Sequence, residues 1–178
     1  PEIITTYENR HSLLKSVIKC WEFSGKMEAI YWIHEEADIN VWDTDYDIFM
    51  EGFICDDPPV SEFYTQKFAH SSSTPDNPVL AEQLLVRIIS NSPYAYRTID
   101  RLLKHFPNVD FHYNNNQPMI EAIVGGELLD VKYVEKKTNL KFFDTFQYEN
   151  VENKMLIDFA LQEEDDEIVE YMLKQDAE

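Results

Sequence analysis

Apolar residues recur along this chain in short bursts at helical spacing, divided by polar breaks. The clearest case is residues 153–178, NKMLIDFALQEEDDEIVEYMLKQDAE. Met155, Leu156, Phe159 and Ala160 fall on one stripe of a first short helix, and Ile168, Val169, Met172 and Leu173 repeat that spacing in a second. The acidic residues Glu163–Asp166 precede the second helix, where the helix dipole favours negative charge. Helices of two or three turns are marginal alone, so such a pair needs neighbours to cover its apolar faces, and the pattern implies repetition.

Weaker copies run upstream. Residues 1–11 are a polar lead-in, after which Ser12 is expected to cap a helix through Leu13, Leu14, Val17, Ile18 and Trp21. Ser24 and Gly25 break it, and Met27–His34 follows, presenting Ala29, Ile30, Trp32 and Ile33. The polar and aromatic stretch 36–47 is read as an extended finger. Ile48–Ile54 is the next helix, stopped by Pro58 and Pro59, with Val60–Ala69 as its partner. The Ser- and Pro-rich stretch 70–78 reads as an irregular insertion. Then come Val79–Ile89 with Thr98–His105, and Gln117–Val124 with Leu128–Lys137 across Gly125–Gly126. The aromatic stretch 139–150 alternates roughly, as a short hairpin or finger would. The expectation is an all-α chain of helical hairpins forming one domain over residues 1–178. Its units are 12–47, 48–78, 79–114, 115–150 and 151–178.

The recurring phrase resembles the ankyrin repeat. Across 153–178, Ala160 falls on the family's first alanine, Ile168–Val169 on its I-V, Met172–Leu173 on its L-L, and Ala177 on the alanine after its glycine. Across 115–140, Pro118 takes the T-P-L proline, Ala122 the first alanine, Gly126 the inter-helix glycine and Val131 the valine. Residues 37–40, Ala-Asp-Ile-Asn, read as the A-D-x-N ending, and 107–110 as a weaker copy. The resemblance spans about residues 12–178 and departs from the pattern in two ways. No unit has the complete T-P-L-H tetrapeptide. Glu36, Thr138 and Asp176 stand where the glycine ending the second helix is usual, at a left-handed position that costs energy without glycine.

The resemblance implies an ankyrin-like helical stack, or solenoid, that binds a partner protein or peptide on a concave face built from fingers and first helices. The candidate contacts are Trp42, Asp43, Asp45 and Tyr46 in one finger, Asp110, Phe111, His112 and Tyr113 in a second, and Phe142, Phe143 and Asp144 in a third. Aromatic rings beside carboxylates suit a basic segment, through cation–π contact and ion pairing. The competing reading is that the rings pack between neighbouring fingers or under the long insertions.

Charge sharpens the choice of partner. The net charge is −19, and its distribution is uneven: residues 1–66 carry 14 acids and 4 bases, residues 149–178 carry 11 and 2, and the middle carries 9 of each. Such a surface repels nucleic acid, whose binding depends on Lys and Arg, and attracts basic surfaces. Acidic ends also keep a repeat stack soluble. No run is long enough to span a membrane. The two cysteines, Cys20 and Cys55, fit a reducing, intracellular setting, cytoplasmic or nuclear. Pro1 in place of Met leads us to expect a segment of a longer chain.

Catalytic chemistry is not expected. The five histidines stand singly, without metal-ligand spacing, so no metal or other cofactor is expected. Cys20 is read as buried beside Trp21. Cys55 is read as a poor nucleophile beside Asp56 and Asp57, since acidic neighbours disfavour a thiolate. The leading expectation is a non-catalytic protein-interaction domain. The alternatives are a regulatory or substrate-recruiting domain of a larger enzyme or pathogen effector, and an acidic mimic of nucleic acid.

Overall fold

Helices make up about three quarters of the computed structural model, which describes residues 7–20, 24–37, 47–55, 57–70, 79–92, 95–148 and 151–176. The chain divides into two compact units, 1–76 and 77–178, with the boundary inside the Ser- and Pro-rich stretch.

The first unit holds α1 (Tyr7–Lys19), α2 (Lys26–Ala37), α3 (Asp47–Ile54) and α4 (Pro58–His70). α1 packs on α2 and on α3, and α3 packs on α4. Lys15 meets Asp47, and Lys19 meets Glu51 at 3.2 Å. These two rungs, one helical turn apart on both helices, set α1 parallel to α3. The core is Leu14, Ile18, Ile30, Ile33, Ile48, Phe49, Phe53, Val60 and Tyr64. Each such side chain contributes about 1.5–3 kcal/mol on burial, more than the partly exposed ion pairs do. Gly52 lets Tyr64 press onto α3, because a Cβ there would lie 2.0 Å from the Tyr64 ring.

Several expectations change here. α1 begins at Tyr7, so Ser12 lies inside the helix rather than at its cap; the buried stripe runs back from Leu14 to His11. Cys20 is exposed, because α1 ends at Lys19 and the cysteine falls off its apolar stripe. Trp32 is 53% exposed while Ile30 and Ile33 take the core. Pro58 and Pro59 open α4, where a missing N–H costs nothing.

The second unit runs α5 (Leu80–Asn91), α6 (Tyr96–His105), α7 (Tyr113–Val124), α8 (Leu128–Thr138), β1 (Thr145–Tyr148), β2 (Val151–Met155), α9 (Leu156–Gln162) and α10 (Asp166–Asp176). Within each pair the two helices pack together. The first helices pack in the order α5, α7, α9, and the second helices in the order α6, α8, α10. α5 and α7 are parallel. Asp110, just ahead of α7, donates its N–H to Glu82 in the first turn of α5 at 3.1 Å, and Ser90 near the end of α5 donates to Glu121 near the end of α7 at 2.8 Å.

Bonds between successive pairs recur. The Asp130 carboxylate of α8, 2% exposed, accepts the N–H of Ala95 at 2.9 Å and of Tyr96 at 3.0 Å, capping α6 from the neighbouring pair. Tyr133 of α8 donates its hydroxyl to Asp100 of α6 at 2.6 Å, and Tyr171 of α10 donates to Glu135 of α8. Burial first, then the accepting carboxylate, holds both phenols above their ordinary range. Lys132 of α8 lies 4.8 Å from the Tyr171 ring, so a basic side chain meets the acidic last pair through a ring.

Turn chemistry explains the remaining departures. The hairpin expected in 139–150 is antiparallel but sits later, pairing Thr145 with Met155 and Phe146 with Lys154. Met155 is therefore strand, not helix. Its N–H goes to Asp158 at 2.8 Å, which starts α9, and Asp165 caps α10 by accepting the N–H of Ile168 at 3.0 Å. Asn114, Asn115 and Asn116 all take left-handed conformations, so the right-handed part of α7 opens at Gln117 and Pro118. Asn tolerates that region best among residues with a Cβ. Thr138 remains helical, and the left-handed residue ending α8 is Asn139. Between the helices of successive pairs, Gly126 (φ 72°) and Glu164 (φ 57°) hold matching left-handed positions.

Candidate functional site

The second finger is described in full. Phe106 donates its N–H to Leu102 at 2.8 Å, closing α6, and the chain then turns so that Val109 bonds back to Phe106. Asp110 accepts the N–H of His112 at 2.8 Å, a local side-chain turn that orients the imidazole outward. The His112 Nδ1 lies 2.9 Å from the Asn116 side-chain oxygen. Asp110 and His112 are exposed and Tyr113 is half-buried. The left-handed asparagines follow at once, and Asn114 ties to Gln117 at 2.8 Å.

The third finger leads into the hairpin. Asp144 closes a turn onto Lys141, and Phe142 accepts the N–H of Ile157 at 3.2 Å, fastening the finger to α9. Asp144 is exposed and Phe143 half-buried. Beyond them Phe146 stacks on Phe159 at 6.4 Å, with the Lys154 ammonium 4.9 Å from the same ring. β1 also packs against α7.

Two of the expected contact residues are core. Phe111 is 7% exposed and Phe142 3%, with Phe142 meeting the Tyr171 ring edge-on at 6.0 Å. Both support their fingers from beneath, the outcome the packing alternative anticipates. Trp42, Asp43, Asp45 and Tyr46 lie outside the described residues. The described residues that reach solvent are thus Asp110, His112, Tyr113, Phe143 and Asp144.

Two further groupings lie in the first unit. On the second-helix side, Tyr31 crosses Phe63 edge-on at 5.0 Å, and Phe63 meets Tyr64 at 5.2 Å and the Lys67 ammonium at 5.3 Å. Tyr64 is buried, with its hydroxyl 3.0 Å from His34 Nε2; burial first, and the nearby Cys55 second, push its phenol upward. The other grouping surrounds Cys55. Lys26, in the first turn of α2 and 8% exposed, brings its ammonium to 3.9 Å from the Cys55 sulfur and 3.4 Å from Asp57. Reading Cys55 from its acidic neighbours alone misses this ammonium, which arrives from another helix. A lysine between a glycine and a methionine at a helix start gives no sign in sequence of where its head will go.

No family model matches the chain, and neither does any curated protein or solved structure. Among the described residues no helix is long and apolar enough to cross a membrane.

Proposed function

We propose that the chain is a non-catalytic protein-interaction domain, a divergent ankyrin-like stack that takes up a basic peptide segment along its finger-bearing side. The observation that carries this reading is the parallel alignment of α5 and α7, fixed by Asp110–Glu82 at one end and Ser90–Glu121 at the other. Parallel first helices bring successive fingers to one end of the unit, where Asp110 and Asp144 stand exposed beside Tyr113 and Phe143. Bonds between pairs join residues 28 to 37 positions apart, the spacing of a repeating unit. Carboxylates next to half-open rings favour Lys and Arg side chains, whose stems lie on the rings while the heads meet the acids.

The test is a fluorescence-anisotropy titration of the chain against a labelled peptide rich in Lys and Arg. Binding is expected, weakening as salt rises. The Asp110→Lys, Tyr113→Ala, Asp144→Lys triple variant is expected to lose at least about tenfold in affinity. Equal affinity for the triple variant, with its helicity intact, sinks the assignment to this face.

A further inference from the structure

Three groups meet near the ends of α1 and α3 and the start of α2 in the first unit. The Cys55 thiol, just past the end of α3, donates to the Ile18 carbonyl at the end of α1, 3.5 Å away. The buried Lys26 ammonium sits 3.9 Å from the same sulfur, and Asp57 holds that ammonium from the other side at 3.4 Å. A lysine in the first turn of a helix works against the helix dipole, and burying it costs more. Its compensation is the pair of groups it meets, one of them a nucleophilic sulfur that remains partly open to solvent.

We propose that Cys55 and Lys26 form a peroxide-responsive modification site. An ammonium close to a sulfur stabilises the thiolate, the form that attacks electrophiles. Asp57 opposes this, but its charge is already engaged by the same ammonium. The thiolate attacks one oxygen of hydrogen peroxide, the O–O bond breaks, and the Lys26 ammonium supplies the proton that turns the departing hydroxide into water. Cys55 becomes a sulfenic acid, oxidised by two electrons, and peroxide is reduced by two. Lys26, now a neutral amine, attacks the sulfenic sulfur. An S–N bond forms, the S–O bond breaks, and a second water leaves. In sum, a thiol, an amine and one peroxide give a sulfenamide and two waters. The link ties the first turn of α2 to the α3–α4 connection, and excess thiol reverses it. Cys20, exposed past the end of α1, is the internal comparison.

The test treats the whole chain with hydrogen peroxide near neutral pH and follows both cysteines by peptide mass spectrometry, with a 1,3-diketone trapping sulfenic acid. Cys55 is expected to react about tenfold faster than Cys20, and the advantage to vanish in urea. Lys26→Met is expected to remove the advantage, while Lys26→Arg retains it but gives no link, because a guanidinium is too weak a nucleophile. Without the trap, the folded wild type is expected to give a Lys26–Cys55 peptide lighter by two hydrogens, released by dithiothreitol. Equal rates for the two cysteines in the folded chain, or an advantage that survives urea or Lys26→Met, overturns the site. Failure to find the linked peptide overturns the second step. If Lys26→Met does not fold, the urea and Lys26→Arg arms decide.

Discussion

Asp130 caps a helix to which it does not belong: its carboxylate accepts the N–H of Ala95 at 2.9 Å, at the start of the preceding second helix. The same carboxylate takes the N–H of Tyr96 at 3.0 Å, so two donors at the start of α6 are satisfied from α8. Because the group is buried and charged, it ties the second helices together through geometry as well as packing. Asp130→Ala is expected to cost about 3 kcal/mol, from two charge-assisted bonds lost and two donors left buried. Asp130→Asn keeps one acceptor and is expected to lose about half as much. Urea unfolding measures both. A loss under about 0.5 kcal/mol for the alanine variant, the size of an ordinary surface change, removes the cap from the account.

Gly52 and Tyr64 make a second close pair. A Cβ at Gly52 would lie 2.0 Å from Cδ2 of the ring, and the ring has little room to yield because Tyr64 is fully buried. Gly52→Ala is therefore expected to destabilise the first unit by about 3 kcal/mol or more, despite the better helix propensity of alanine. Adding Tyr64→Leu should recover part of that loss, because the clashing ring is gone. Additive losses in the double variant would show that the contact is not the cause.

Tyrosine ionisation sets the alkaline limit. Tyr64, Tyr133 and Tyr171 all have their phenols held above the ordinary value of 10.0, chiefly by burial. The folded state therefore keeps these protons after the unfolded chain has released them. Their contribution is complete below about pH 10 and is lost as pH rises beyond it toward the folded-state values. Thermal melts from pH 8 to 11 should be flat at first and then fall. Tyr133→Phe and Tyr171→Phe should each shallow that fall, even though each also lowers stability at pH 8. An unchanged slope in both variants would place the alkaline loss elsewhere.

Glu164 offers a gain. It holds φ 57°, matching Gly126 at 72° one helix pair earlier, and its side chain is exposed. A residue with a Cβ is strained there, so Glu164→Gly is expected to stabilise the second unit by about 0.5–1 kcal/mol. Gly126→Ala is expected to lose a similar amount. The two changes should shift the melting temperature in opposite directions; shifts of the same sign would contradict the matching.

Local pattern made the helix pairs legible. Apolar spacing located the described helices, most of them to within a few residues, because each buries one stripe and the stripe is written in the sequence. It left a hairpin or a finger open at 139–150, where only the first strand of the observed hairpin runs. The boundaries failed where a neighbour, rather than the helix itself, sets the end: α1 extends back to Tyr7 because His11 is covered, and Met155 is drawn into β2 by pairing with Thr145. Five of the seven described candidate residues are solvent-accessible. Asp110, His112, Tyr113, Phe143 and Asp144 reach solvent, but Phe111 and Phe142 sit under their fingers. Aromatic residues in a polar stretch look alike in sequence whether they face water or a neighbouring helix.

By itself, then, the sequence determined an all-helical chain of short amphipathic pairs with acidic ends, since periodicity and charge are properties of single segments. Tertiary structure alone decided which groups from separate pairs meet. It brought Asp130 to the start of α6, Tyr133 to Asp100, Tyr171 to Glu135, and the Lys26 ammonium to Cys55. Each of these contacts joins residues about one helix pair apart, a separation that only packing closes.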